Sequence, residues 1–233
     1  MVFPNPDQGR PVIISGRFGS GKTEISLNYA VWLATQTGYA RPMLVDLDIV
    51  TPYFRSRELI AEMEARGVEV VAPLALTRSV DVPGITPQIL GAIEQTERPV
   101  ILDVGGDRQG ARALSRYRAA LQHRGYDMLF VANPYRPYMA TPEAVAASVA
   151  EIEVSSRLAV SSLVSNPNLM NQTEPDVIRT GHSVVEAAAR LMALPISFIV
   201  VPGGLAASLD GVADLGLPVL PLTRYFVLPW EGA

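Results

Sequence analysis

The 233 residues suffice for one sizeable core and rather little for two, so a single domain over residues 1–233 is expected. Apolar residues make up 48% and charged residues 18%, with a net charge of −4; this excludes a disordered polymer and makes nucleic-acid or anionic-membrane partners unexpected. Cysteine is absent and His123 and His182 are the only histidines, which removes disulfides, thiolate chemistry and His-rich metal cages. No apolar run approaches the roughly 18 residues that span a bilayer, and Met1–Pro11 lacks the order of a signal peptide, so a cytoplasmic protein is expected.

In chain order, Pro11–Ser15 is a short apolar run that ends in a Gly-rich turn, and Thr23–Thr37 carries Ile25, Tyr29, Trp32 and Leu33 at helical spacing. Pro42–Leu47 is the next buried-strand pattern, Arg55–Arg66 a helix closed by Gly67, and Val68–Ala72 a third strand. Leu74–Pro87 has no clear period and reads as an excursion or lid. Strands follow at Val100–Val104, Met128–Ala132, Leu158–Val164, Ile196–Val201 and Leu217–Leu222, with helical patterns at Ala111–Arg124 and Asp176–Met192. Thr141-Pro142-Glu143 has the form of a helix start. Short apolar strands alternating with amphipathic helices predict an α/β fold: a mostly parallel sheet covered on both faces, its strand-end loops gathered at one edge.

The first of those loops carries the most specific pattern. Gly16-Arg17-Phe18-Gly19-Ser20-Gly21-Lys22-Thr23 fits G-x-x-x-x-G-K-[ST] between a predicted strand and a predicted helix, and a chance match is expected on the order of 10⁻³ times per chain. Glycines let backbone N–H groups turn inward around phosphate oxygens, and the helix N-terminus adds about half a positive charge aimed the same way. Lys22 is placed to reach β- and γ-phosphates, and Thr23 to ligate Mg²⁺. Of the 19 basic residues only Lys22 is Lys, so an ammonium is retained at the one place where it has a task.

Acidic residues close the neighbouring strands. Asp46 and Asp48 share one face at the end of the second strand, where two carboxylates repel unless a cation or polarised water joins them. Asp103 ends Val100-Ile101-Leu102-Asp103, the pattern of a Walker-B carboxylate holding Mg²⁺ directly or through water. Gly105-Gly106-Asp107 follows, and a Gly pair there lets backbone approach a γ-phosphate. The alternative for these aspartates is ordinary capping of turns and helices. Asn133-Pro134-Tyr135-Arg136-Pro137-Tyr138 lies at the same edge, either as a partner or substrate surface or as rigid packing.

Gly16–Thr23, Val45–Asp48 and Asp103–Asp107 together resemble the MinD/ParA/CobQ group of P-loop NTPases, the SIMIBI class. The resemblance implies a three-layer αβα P-loop NTPase fold, with Gly16, Arg17, Phe18, Gly19, Ser20, Gly21, Lys22, Thr23, Gly105 and Gly106 around the nucleotide. It also implies Mg²⁺ held by Thr23, Asp46 and Asp103, and Lys22, Asp46 and Asp48 as the catalytic group, Asp48 orienting the attacking water. Arg17 stands where that family often has a second Lys that reaches the partner subunit's nucleotide, so a nucleotide-dependent homodimer is implied. Asn166 would read the base, with a plain Asn-Pro-Asn turn as the alternative.

Guanine recognition by N-K-x-D needs a Lys that this chain has already used, which favours ATP. The end of the chain, Leu228–Ala233, is neither basic nor helical in pattern, against membrane cycling. Three roles remain open: a slow Mg²⁺-dependent ATPase that switches a protein partner or homodimer; a ligase or kinase resembling dethiobiotin synthetase that acts on a small acid or amide; and a nucleotide sensor that does not hydrolyse.

Overall fold

The structure is a computed structural model and describes residues 9–36, 40–47, 59–71, 87–95, 97–206 and 215–225. Its strands are β1 (Val12–Gly16), β2 (Met43–Asp46), β3 (Glu69–Val71), β4 (Val100–Asp103), β5 (Asp127–Ala132), β6 (Ser162–Ser165), β7 (Ile196–Pro202) and β8 (Val219–Leu222). The helices are α1 (Lys22–Thr35), α2 (Ile60–Ala65), α3 (Pro87–Glu94), α4 (Arg108–Leu114), α5 (Arg118–Arg124), α6 (Pro142–Ser156), α7 (Pro175–Met192) and the single turn α8 (Gly203–Ala206).

The strands form one sheet in the order β3-β2-β4-β1-β5-β6-β7-β8, and every pairing is parallel. Strand alternation divides the apolar residues between two cores. Ile13, Val45, Leu102, Phe130 and Leu163 face Ile93 of α3, Leu114 of α4, Leu121 of α5, Val149 of α6 and Val185 of α7. Val12, Ile14, Leu44, Ile101, Leu129 and Val131 face Ile25, Tyr29 and Leu33 of α1 and Met63 of α2. These two faces make the three αβα layers, because a parallel sheet buried on both sides needs helices on both.

β1 lies between β4 and β5, and the chain winds to opposite sides of it before and after β4. The C-terminal ends of β1, β2, β4, β5 and β6 therefore meet at the switch point of the sheet, where ligands of open α/β folds bind.

Three local expectations are corrected. Ala111–Arg124 is not one helix: α4 and α5 are separated by a 3₁₀ turn at Ser115–Tyr117. Leu114, Tyr117 and Leu121 stay buried through that turn, so the apolar spacing continues although the α-helical bonding does not. β6 begins at Ser162 and not at Leu158, and α3 has no counterpart in the sequence reading. Residues 55–58 of the predicted helix and 74–86 of the predicted lid lie outside the described residues. Thr141 caps α6 as expected, accepting from the Ala144 N–H with Pro142 in the first turn.

Candidate functional site

The Gly16–Thr23 segment forms the connection from β1 to α1. A turn hydrogen bond from Ser20 N–H to the Arg17 carbonyl (3.1 Å) folds it back, and the Gly21 carbonyl accepts from Ile25 N–H to start the helix. Gly21 is the N-cap of α1 with φ +93°, a left-handed conformation that Gly adopts without the Cβ penalty, and no side chain caps the helix. No side chain therefore covers the first turn of α1, which is the positive end of the helix dipole. Asn166, at the end of β6, donates from Nδ2 to the Ser20 carbonyl (2.7 Å), and a Cβ on Gly21 would come within 2.5 Å of that same nitrogen. Asn166 thus supports the loop directly; its Oδ1 is buried and, like the Ser20 hydroxyl, has no hydrogen-bond partner among the described residues.

On the other side of β1, β2 and β4 run in register so that Asp46 sits opposite Asp103, and both are almost wholly buried. Ser26 of α1 lies 3.1 Å from Asp103 Oδ1 and 2.9 Å from the Lys22 carbonyl, its one proton serving one acceptor at a time. Lys22 is itself buried at the start of α1, with Thr23 half-buried next to it. Two carboxylates and a hydroxyl are hard oxygen donors, the type Mg²⁺ takes together with substrate phosphates. Among the described residues no group of three or more His, Cys, Asp or Glu gathers as a closed metal cage, so phosphate oxygens and water would have to complete the shell. Asp48 lies outside the described residues.

After β4, Val104-Gly105-Gly106 leads to Asp107, which caps α4 by accepting from Gly110 N–H at 2.7 Å. The capping alternative thus holds for Asp107. Gly106 is pressed onto the β1–α1 loop: a Cβ there would lie 2.6 Å from Lys22 Nζ, 2.6 Å from Phe18 N and 2.7 Å from the Arg17 carbonyl carbon. Only a residue without a side chain fits between the ammonium and the loop backbone.

Arg17 turns away from the loop along α6. It donates to Ser148 Oγ (3.2 Å) and Glu151 Oε2 (3.0 Å), and its guanidinium lies over the Tyr138 ring at 5.4 Å. Glu151 also accepts from Arg108 Nε at 2.7 Å, so one carboxylate joins the loop after β1 to the start of α4. The Arg108 hydrogen bond, helped by the Arg17 charge and opposed by partial burial, holds the Glu151 carboxyl below the usual carboxylate range. These residues line a groove of about 490 Å³ together with Phe18 and Tyr138, which are 69% and 77% exposed. Nothing local in the sequence marks Ser148 or Glu151, because the contacts span 131 and 134 positions.

The Asn133–Tyr138 loop is anchored by side-chain hydrogen bonds. Asn133 is buried; its Nδ2 donates to the Asn168 carbonyl, and its Oδ1 accepts from Tyr135 N–H. The Tyr135 hydroxyl donates to the Val177 carbonyl of α7 at 2.6 Å. Behind this loop His182 of α7 is buried, with Nδ1 2.9 Å from Ser165 Oγ; burial lowers its pKa, and Glu186 only partly opposes that.

No family model and no curated protein matches the sequence. Solved structures do share its fold. Cell division protein FtsY from Thermotoga maritima aligns at TM-score 0.55 and 16% identity over 85% of this chain and 63% of its own. Signal recognition particle receptor FtsY from Elizabethkingia anophelis in complex with GDP aligns at TM-score 0.53 and 15% identity over 82% and 57%. A nucleotide-binding protein from Archaeoglobus fulgidus in complex with ADP aligns at TM-score 0.50 and 17% identity over 82% and 83%. The chain thus spans about three fifths of the length of the FtsY chains it matches. At these identities the likeness shows the fold alone, an α/β architecture with an eight-stranded parallel sheet flanked by helices. Among the described residues no helix is long and apolar enough to cross a membrane.

Proposed function

We propose that the chain is a single nucleotide-binding domain that binds ATP with Mg²⁺ and hydrolyses it slowly, as a switch acting on a protein partner or on a second copy of itself. The observation that carries this reading is the seat of Gly106 on the Lys22 ammonium and the Gly16–Thr23 turn, beside the buried pair Asp46 and Asp103. Loop N–H groups and Lys22 would bind the polyphosphate, with Gly105 and Gly106 against its outer end. Thr23, Asp46 and Asp103 would hold Mg²⁺, which would neutralise charge on the β- and γ-oxygens. Asp48 would orient the attacking water.

Adenine is favoured because the only Lys is Lys22, which leaves none for an N-K-x-D guanine site. The buried Oδ1 of Asn166 is an acceptor that suits the adenine 6-amino group. The nucleotide-bound neighbours carry ADP in one case and GDP in another, so ATP and GTP are both to be tested. Release of Arg17 from Glu151 would free it for a partner's nucleotide in a homodimer.

Calorimetry with Mg-ATP and Mg-GTP on wild type and Lys22→Ala tests the site: wild type should bind, ATP more tightly, and the variant should lose the triphosphate. Phosphate release by the protein alone, with a nucleotide-dependent change in association state, supports the switch. Turnover only with an added small acid or amide would replace it with the ligase reading, and tight binding without release with the sensor.

A further inference from the structure

We propose that Arg136 is a second cation of the phosphate site, placed to donate to the anionic tail of the nucleotide from the side opposite the carboxylates; this rests on the nucleotide-binding reading above. Three observations carry it.

Arg136 stands beside the loop: its Cδ and Nε are both 3.8 Å from where a Cβ on Gly19 would be, so the head of the side chain borders the turn that Gly16–Thr23 makes. Its Nε is buried and has no hydrogen-bond partner among the described residues, in a side chain that is half-buried as a whole. A buried donor left in that state carries a desolvation cost that an anion would remove. The other two arginines of this edge are committed, Arg17 and Arg108 both pairing with Glu151, whereas among the described residues no carboxylate lies within ion-pair distance of Arg136.

Its backbone is fixed in position. Arg136 N–H donates to the Asn133 carbonyl at 3.0 Å, its own carbonyl accepts from Met139 N–H, and Asn133 and Tyr135 are anchored to the loop after β6 and to α7. The turn fixes where the side chain leaves the backbone, and the guanidinium presents a planar fork that matches phosphate oxygens. Lys22 approaches the tail from α1, at the Gly106 side, and Arg136 from the loop after β5, at the Gly19 side. The two cations would enclose the tail.

The test is calorimetry of Mg-ATP and Mg-ADP at two salt concentrations with wild type, Arg136→Met, Arg136→Lys and Lys22→Ala, with melting temperatures for each. Met keeps an apolar stem over Gly19 and removes the charge. The expected result is about a 10- to 100-fold loss of affinity in R136M, a shallower salt dependence, an unchanged melting temperature and partial recovery in R136K. Wild-type affinity in R136M while K22A loses binding would overturn the role of Arg136 and leave the nucleotide site standing. A fall in melting temperature shared by R136M and R136K, with an unchanged salt dependence, would make Arg136 a packing element and also overturn it. No binding by wild type would remove the underlying reading, which the K22A comparison separates from the first case.

Discussion

Asn166 Nδ2 donates to the carbonyl of Ser20 across 146 positions of sequence, and so fastens the end of β6 to the loop between β1 and α1. The Gly16–Thr23 loop is therefore not a free turn whose shape is set by its glycines alone. One side chain from two strands away, across β5, is bonded to it.

Removing that strut should loosen the loop. Asn166→Ala leaves the Ser20 carbonyl without this donor and is expected to lower stability by about 1–3 kcal/mol; Asn166→Asp, which sets a carboxylate against the carbonyl, should lower it more. Urea unfolding checks the order. Equal stability of all three proteins would show that the bond does not hold the loop.

Gly106→Ala tests the seat on Lys22. The ammonium is a flexible end and can yield, but Phe18 N and the Arg17 carbonyl carbon are backbone atoms 2.6 and 2.7 Å from the new Cβ. The loops must part, at a cost of about 1–3 kcal/mol. Thermal melting should fall accordingly, and Mg-ATP affinity with it. A variant that melts and binds like wild type would mean the two loops are not in contact in solution.

Glu151→Gln removes the charge shared by Arg17 and Arg108. Both pairs are partly open to solvent, so the stability loss at neutral pH is expected to be about 1 kcal/mol or less. The folded carboxyl titrates below its unfolded range of about 4.3, so its contribution is complete above that pH and fades as the pH falls further. The difference in melting temperature between wild type and variant should therefore shrink in acid. A difference that grows there would have the wrong sign.

His182 gives a second pH dependence at a higher range. Burial lowers the pKa of the folded ring, while the unfolded ring takes up a proton at about 6.5. The unfolded state binds more protons just below that value, so stability is full above it and declines as the pH drops. His182→Gln should flatten this part of the stability curve, whatever it costs at neutral pH. An unchanged slope would assign the dependence to another group.

Much of this was legible in the sequence. Eight largely apolar runs of five to seven residues marked all eight strands, because strands buried on both faces tolerate few polar positions. The place of Gly16–Thr23 between β1 and α1 was legible because an apolar run, a Gly-rich turn and a helical period follow one another there. The break between α4 and α5 was not, since a 3₁₀ turn keeps Leu114, Tyr117 and Leu121 on the buried side. Nor was the pairing of Arg17 with Glu151, which depends on how α6 packs and has no local signature. Arg136 lay in a loop that stood out for its composition, but only the fold shows that it borders Gly19.

Only Val104, Gly105 and Gly106 separate the end of β4 from the cap of α4. Across so short a tether, any displacement at Gly106 that the glycine torsions did not absorb would pass to the start of α4 and to the Arg108–Glu151 bridge at the rim of the groove. A push at the buried ammonium would then have a path to the outer surface.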